Sequence, residues 1–280
     1  MTNAIAKRPT TFSTFMASDA VKNKINEMIG GKDGQRFITS IISAVSANPS
    51  LAECDHSTIL SAAMQGEALK LSPSQQLGHY YLVPYRDNNL KRTVAQYQIG
   101  YKGYIQLAMR SGQYRDLDVI EIREGEYKGK DKFTGKPVIE FIEEDDEREN
   151  MPVIGYFAYF ELLNGFRKSL YWSKAKMEKH ALQYSKGYAS DRRNNKAYTF
   201  WSKDFNGMAF KTMLRQLLSK WAVMSIDMQT AMTTDMTVID AEGSYRYVDN
   251  EEEQIAEEKP EEQYATVPLE EEKPKEEELI

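Results

Sequence analysis

Between Tyr198 and Met224 the chain reads YTFWSKDFNGMAFKTMLRQLLSKWAVM, and no other stretch limits the fold as strongly. Counting from Phe210, the residues Met213, Leu214, Leu217, Leu218 and Trp221 recur at spacings of three and four, one face of a 3.6-residue helix. So continuous an apolar stripe has to lie against a second layer, and the chain must build a core around it. At about 100° per residue, Lys211 and Arg215 flank the stripe on one side and Lys220 on the other, while Thr212 and Ser219 point away. An aromatic cluster, Tyr198, Phe200, Trp201 and Phe205, precedes the helix. Read alone, this is a core helix with solvated cations at its edge.

The preceding chain supplies the layers. Residues 1–15 read as a flexible lead. Ser18 is placed to cap a helix through Met28 that Gly30 and Gly31 close. A second helix, Asp33 to Ala47, buries Phe37, Ile38, Ile41, Ile42 and Val45 and stops before Pro49. A third runs from Ser57 to Leu69. From His79 the pattern changes to two aromatic and β-branched runs around Asp87-Asn88-Asn89, a hairpin. Gly100-Tyr-Lys-Gly103 opens a helix that ends near Gly112. Val119–Arg123 and Lys136–Ile142 read as strands, and a second hairpin turns at Asn164-Gly165. Ser173 caps a short helix, residues 186–200 read as a polar loop, and a last helix spans Ser225–Met236. The expected class is α+β: a helical N-terminal part, then antiparallel hairpins packed on helices, in a core over 16–240.

Charge divides the chain differently from its global net of −6. Of 36 Lys and Arg only 4 fall in 241–280, against 15 of the 42 acids, so residues 1–240 hold 32 basic and 27 acidic residues. Residues 241–280 cannot bury enough apolar surface to offset their ordering entropy, and a disordered acidic tail is expected there. Within 167–220 there are 13 Lys and Arg and 3 acids, a local net of +10. The single cysteine, Cys54, fits a reducing compartment, and no run approaches the ~18 apolar residues of a membrane span, so a cytoplasmic protein is expected.

Catalytic patterns are sparse. No phosphate loop occurs; the nearest Gly-Lys, Gly31-Lys32, is followed by Asp33 rather than a hydroxyl. His56, His79 and His180 are far apart, His180 reads as a surface residue, and neither zinc-ligand spacing nor a nucleophile with its base stands out. The acids Glu143 to Glu147 invite a metal-dependent nuclease reading, yet consecutive acids splay, whereas a two-metal site needs carboxylates converging from separate elements. A solvated loop is the plainer reading. We therefore expect no catalytic or metal-binding residues and no cofactor.

Cations interleaved with aromatics are what unpaired nucleic acid needs, because phosphates take Lys or Arg and bases stack on rings without sequence preference. Here Lys186, Arg192, Arg193, Lys196, Lys203, Lys211 and Arg215 alternate with Tyr184, Tyr188, Tyr198, Phe200 and Trp201. Whether Phe200 and Trp201 stack on bases or pack inward is open at this stage. Lys102, between two glycines at a helix start, is a second candidate, since glycines let backbone approach a phosphate.

Two segments, IGYKGYIQLAMRSG (Ile99–Gly112) and FWSKDFNGMAFKTMLRQLLSKW (Phe200–Trp221), resemble the signature segments of the RecT family of phage-type single-strand annealing proteins. The resemblance covers roughly residues 30–230. It implies an ATP-independent protein, not an enzyme, that binds single-stranded DNA, forms rings or helical filaments, and anneals complementary strands for homologous recombination. A 5′-to-3′ exonuclease as partner, contact of C-terminal regions with host single-strand-binding protein, and a basic groove on an α+β core are implied with it. By position, the resemblance carries to Lys102 in the first segment and to Lys203, Lys211 and Arg215 in the second; Lys186, Arg192, Arg193 and Lys196 rest on charge alone. The competing classes are a nuclease built on the 143–147 acids and a helical scaffold or packaging protein.

Overall fold

The computed structural model describes residues 11–87, 91–239 and 245–247. Four helices open the described chain: α1 (Phe12–Ala17), α2 (Asp19–Ile29), α3 (Gly31–Ala47) and α4 (His56–Ala68). Strands β1 (Tyr80–Asp87) and β2 (Arg92–Ile99) pair as the expected antiparallel hairpin, Asp87 facing Arg92, with the turn residues 88–90 outside the described set. Helix α5 (Tyr101–Arg110) follows, then β3 (Tyr114–Arg123), β4 (Tyr127–Lys130), β5 (Pro137–Ile139) and α6 (Asp145–Asn150). The second hairpin is β6 (Val153–Leu162) and β7 (Arg167–Ser173), turning at Asn164-Gly165, where Gly165 takes φ +84°. Helices α7 (Lys174–Tyr184), α8 (Lys186–Asn194), α9 (Phe200–Lys203), α10 (Phe205–Trp221) and α11 (Ile226–Thr234) precede the short strands β8 (Thr237–Ile239) and β9 (Tyr245–Tyr247). The class is the α+β one read from the sequence.

Two antiparallel sheets form, one ordered β1-β2-β8-β9 and the other β3-β6-β7, with β4-β5 a separate ribbon. Helix α10 packs on α5, β3, β6 and β7, so it joins the first sheet's helix to the second sheet. Its apolar stripe is buried as the period requires: Met213, Leu214, Leu217 and Leu218 are all at most 1% exposed. Burial extends beyond the stripe, however. Thr212 and Gln216 are buried too, whereas Trp221 at the end of the stripe is 42% exposed, because layers on both sides enclose the middle of the helix and its last turn projects past them.

Several elements differ from the sequence expectation, each through tertiary packing. The lead to residue 15 is partly helical: Thr11 caps α1, and Phe12 and Met16 sink into the core. The polar loop expected over 186–200 is mostly α8 and the start of α9, because Ser185 caps α8 and Tyr188 is buried against Trp201 and Phe205. His180 is buried rather than superficial, its ring 5.3 Å from that of Trp172 and 4.6 Å from that of Tyr184. The acidic run is solvent-exposed as expected but enters a helix: Asp145, Asp146 and Glu147 form the first turn of α6, where carboxylates suit the helix dipole. Strands β8 and β9 were not legible in the sequence, and β9 lies beyond residue 241, where the tail was expected to begin. The remainder of that tail falls outside the described residues.

Candidate nucleic-acid interface

A trough runs between the β1-β2 hairpin and the α8–α10 segment. Its larger part, a cavity of about 430 Å³, has Leu82, Pro84, Gln96 and Gln98 on one wall and Tyr198, Phe200, Trp201 and Lys203 on the other. A smaller part of about 140 Å³ shares Gln98, Phe200, Lys203 and Met208 with it and continues to Tyr81, Gly100 and Tyr101. The two sequence segments that stood out, at the starts of α5 and α10, therefore meet at one surface feature.

Local chemistry fixes each wall. Thr199 caps α9 by accepting the Ser202 N–H, and Asp204 caps α10 by accepting the Gly207 N–H at 2.9 Å. Ahead of them, Asp191 is buried and gathers the approach: one carboxylate oxygen accepts the N–H groups of Tyr198 (3.0 Å) and Thr199 (2.8 Å) and the hydroxyls of Thr199 (2.8 Å) and Ser202 (2.7 Å). Burial alone would raise the Asp191 carboxyl, but these hydrogen bonds outweigh it and hold its pKa below the ordinary 3.8. This knot holds Tyr198, which is 71% exposed, and the exposed Lys203 on the trough wall. Phe200 packs its ring 5.4 Å from that of Tyr81 and is half-buried. Trp201 borders the trough but is only 4% exposed, packed against Tyr188 and Phe205.

The Gly100–Gly103 pair serves the chain itself. A Cβ on Gly100 would lie 2.1 Å from the Gly78 carbonyl oxygen, and one on Gly103 would lie 2.2 Å from that of His79. The glycines thus let α5 cross the 78–79 backbone, and the positions their Cβ atoms would take are occupied by that backbone, while Gly100 also borders the smaller cavity. Lys102 is exposed, its stem passes Gly78, and its Nζ lies 5.9 Å from the centre of the Tyr101 ring. Its charge is felt nearby: burial first, then the Arg110 and Lys102 cations, hold the His79 imidazole below the usual histidine pKa.

Lys211 and Arg215 are largely buried, where the sequence suggests solvated cations at the edge of the stripe. Asp235, fully buried after α11, accepts Lys211 Nζ at 2.8 Å and Arg215 at 3.1 Å, together with the Ile99 N–H at 3.0 Å and the Tyr104 hydroxyl at 3.3 Å. The Lys211 side chain is 4% exposed and that of Arg215 11%, so both cations tie α10 to β2 and α5 through Asp235, while Lys211 also borders the smaller part of the trough. The reason is that layers cover both flanks of the stripe, so a cation at its edge meets a buried carboxylate instead of water. Nothing in TTDMT marks Asp235 in the sequence, and Asp191 is equally unmarked.

Of the remaining candidates, Lys186, Arg193 and Lys196 are exposed on and after α8, with Lys196 Nζ 5.4 Å from the centre of the Tyr198 ring. Arg192 is exposed and turned to α7, pairing with Glu178 at 3.2 Å. Tyr81, Gln96 and Gln98 are trough residues the sequence reading missed. Alternation along β1 and β2 could have flagged them as one face of a hairpin, but not which face stays uncovered. Among the described residues no three His, Cys, Asp or Glu side chains gather as a metal-ligand set, and no helix is long and apolar enough to cross a membrane. Near the acidic run the carboxylate of Glu126 is buried, and it is held by Arg148 at 2.6 Å and by the Arg123 N–H at 2.7 Å.

Comparison with known proteins gives a concordant result. The model of the RecT family matches residues 35–263. The chain is 38% identical over 228 residues to an uncharacterized Bacillus subtilis (strain 168) protein, YqaK, a match covering 81% of this chain and 73% of that one. It is 30% identical over 232 residues to the Escherichia coli (strain K12) protein RecT, covering 78% and 81% of the two chains.

Proposed function

The chain belongs to the RecT family, and from that premise we propose that it binds single-stranded DNA and anneals complementary strands without ATP, assembling on DNA as a homo-oligomer in homologous recombination. The observation that carries the reading is the trough where the two family segments meet. Exposed Lys203 and the accessible rings of Tyr81, Tyr198 and Phe200 line it, and exposed Lys102 and Lys196 lie on the chain segments of the lining residues Tyr101 and Tyr198, which is the pairing of chemistries that unpaired strands require. Lys186 and Arg193 extend the positive rim along α8, whereas the charge of Arg192 is offset by its pair with Glu178.

Annealing sets a further demand. The first strand has to be gripped by its phosphates so that its pairing edges stay open, and sequence is then read by the second strand rather than by protein. Lysines at the rim suit this, since an ammonium is a point charge that holds phosphate without reading a base. Lys211 and Arg215 act in this scheme indirectly, by holding the α5 start and α10 in register. A cytoplasmic setting, a 5′-to-3′ exonuclease that exposes single strands, and contact with host single-strand-binding protein complete the proposal.

The test mixes the purified protein with two complementary labelled oligonucleotides in the absence of nucleotide, with Mg²⁺ present. The proposal expects accelerated pairing, intact strands and rings or filaments by electron microscopy. Pairing at the protein-free rate would overturn it, and shortened strands would favour the nuclease class instead.

A further inference from the structure

The sheet β1-β2-β8-β9 delivers the end of the described chain to the trough. Met236, on the trough wall, donates its N–H to the Tyr97 carbonyl at 2.8 Å and accepts from Gln96 Nε2 at 2.6 Å. The next residue, Thr237, faces Tyr97 on one side and Tyr247, the last residue of β9, on the other. Tyr247 is therefore two strand spacings, about 10 Å, from Tyr97. Because β8 is antiparallel to both neighbours, β9 runs in the same direction as β2, so it points its C-terminal end toward the edge of the sheet where Gly100 starts α5. Tyr247 thus lies at the level of Tyr97 on β2, three residues before Gly100.

The segment after Tyr247 has the composition of a ligand for that surface. Residues 248–280 contain 14 Asp and Glu and 3 Lys, a formal net of −11, with Ile255, Tyr264, Val267 and Leu269 interspersed. Carboxylates spaced among apolar and aromatic side chains match exposed lysines spaced among Tyr81, Tyr198 and Phe200. Thirty-three residues far exceed what is needed to span the trough, since a flexible chain of ten already covers roughly 15–20 Å.

We propose that the segment 248–280 docks in its own chain's trough and competes with single-stranded DNA for it. The inference rests on the DNA-binding reading above. Tethering sets the tail's effective concentration at the trough on the order of millimolar, so a tail that binds with a dissociation constant of about 0.1 mM lowers DNA affinity about tenfold. The competition is electrostatic and fades as the screening length falls from about 10 Å at 0.1 M salt to about 3 Å at 1 M. A long DNA strand bridging several copies would displace the tail from each, so the device disfavours short or isolated contacts and favours extended single strands.

The experiment compares the full chain with a full-length variant in which the 13 glutamates of 251–280 are replaced by Gln, and with a chain ending at Asn250. Anisotropy of a labelled oligo-dT strand gives affinity at about 50 mM and about 300 mM salt, where phosphate contacts and tail docking are both weakened. In parallel, amide spectra of the DNA-free chains read docking directly. Both altered chains are expected to bind about tenfold tighter at low salt and within about twofold at high salt, with shifts at Tyr198, Lys203 and Lys102 but not at Lys220. Equal affinity at low salt with unmoved amides overturns the proposal. Shifts that grow with protein concentration also overturn it, in favour of docking on a second copy. If no chain binds the oligonucleotide, the DNA-binding reading falls, while the amide shifts still decide whether the tail docks.

Discussion

Replacing Lys211 by Met separates an anchor from a ligand contact. Lys211 Nζ is 2.8 Å from Asp235 Oδ1, the lysine side chain is 4% exposed and the aspartate 0%, so neither charge has water to fall back on. Removing one partner of such a pair costs about 3–5 kcal/mol, chiefly because the other charge is left buried. Asp235 keeps Arg215 at 3.1 Å and the Ile99 N–H at 3.0 Å, which places the expected loss at the lower end, about 3 kcal/mol. Urea unfolding followed by circular dichroism measures it as a lowered midpoint at unchanged slope. The companion variant Lys203→Ala removes an exposed cation and should stay within about 0.5 kcal/mol of the parent. DNA binding should show the opposite ranking once both are assayed well below their unfolding midpoints: Lys203→Ala weakened, Lys211→Met near the parent. A Lys211→Met protein of parental stability that has lost DNA binding would refute the assignment and return Lys211 to the groove.

Other consequences arise from the same geometry. Gly103→Ala drives a methyl to 2.2 Å from the His79 carbonyl and should cost about 2–3 kcal/mol by thermal or urea melting, whereas Gly31→Ala, with nothing within 4 Å, should be neutral or slightly stabilising. The Asp191 carboxyl has a folded pKa below its unfolded 3.8, so its stabilisation is complete above about pH 5 and is lost as pH falls through the folded value. An acid titration should therefore release amide protection at Tyr198 and Thr199, and Asp191→Ala should abolish that step. With Trp172 and Trp221 replaced by Phe, Trp201 emission should be that of a buried indole and unchanged on adding DNA; quenching would mean that the ring leaves its seat against Tyr188.

How far the sequence could be read depended on whether a signal was local. The stripe of α10, the Asn164-Gly165 hairpin and the helix after Gly100 follow from period and turn chemistry, and all three form where expected. Helix α8 has too few apolar residues to announce itself and exists because Tyr188 finds Trp201 and Phe205 across the fold. The trough was half legible. Lys203 and Lys102 stand exposed beside one another's segments, but the burial of Lys211 and Arg215 against Asp235 was not legible, because a helical wheel shows which side a cation faces and not what covers that side. Asp235 lies 24 residues from Lys211 in the chain, and its meeting with Ile99 and Tyr104 is a product of topology alone. Likewise the Gly100 and Gly103 positions looked like a phosphate cradle, yet the atoms they make room for belong to Gly78 and His79.

The central claim is that the exposed lysines around the trough, rather than the largely buried Lys211 and Arg215 paired with Asp235, hold the DNA backbone. A salt titration of oligo-dT binding by the parent and by the double variant Lys102→Ala/Lys203→Ala tests it most directly. Each lysine that neutralises a single-strand phosphate adds about −0.7 to the slope of log K against log salt, so the double variant should bind more weakly with a slope shallower by about 1.4. Unchanged affinity and slope in a folded double variant would contradict the account.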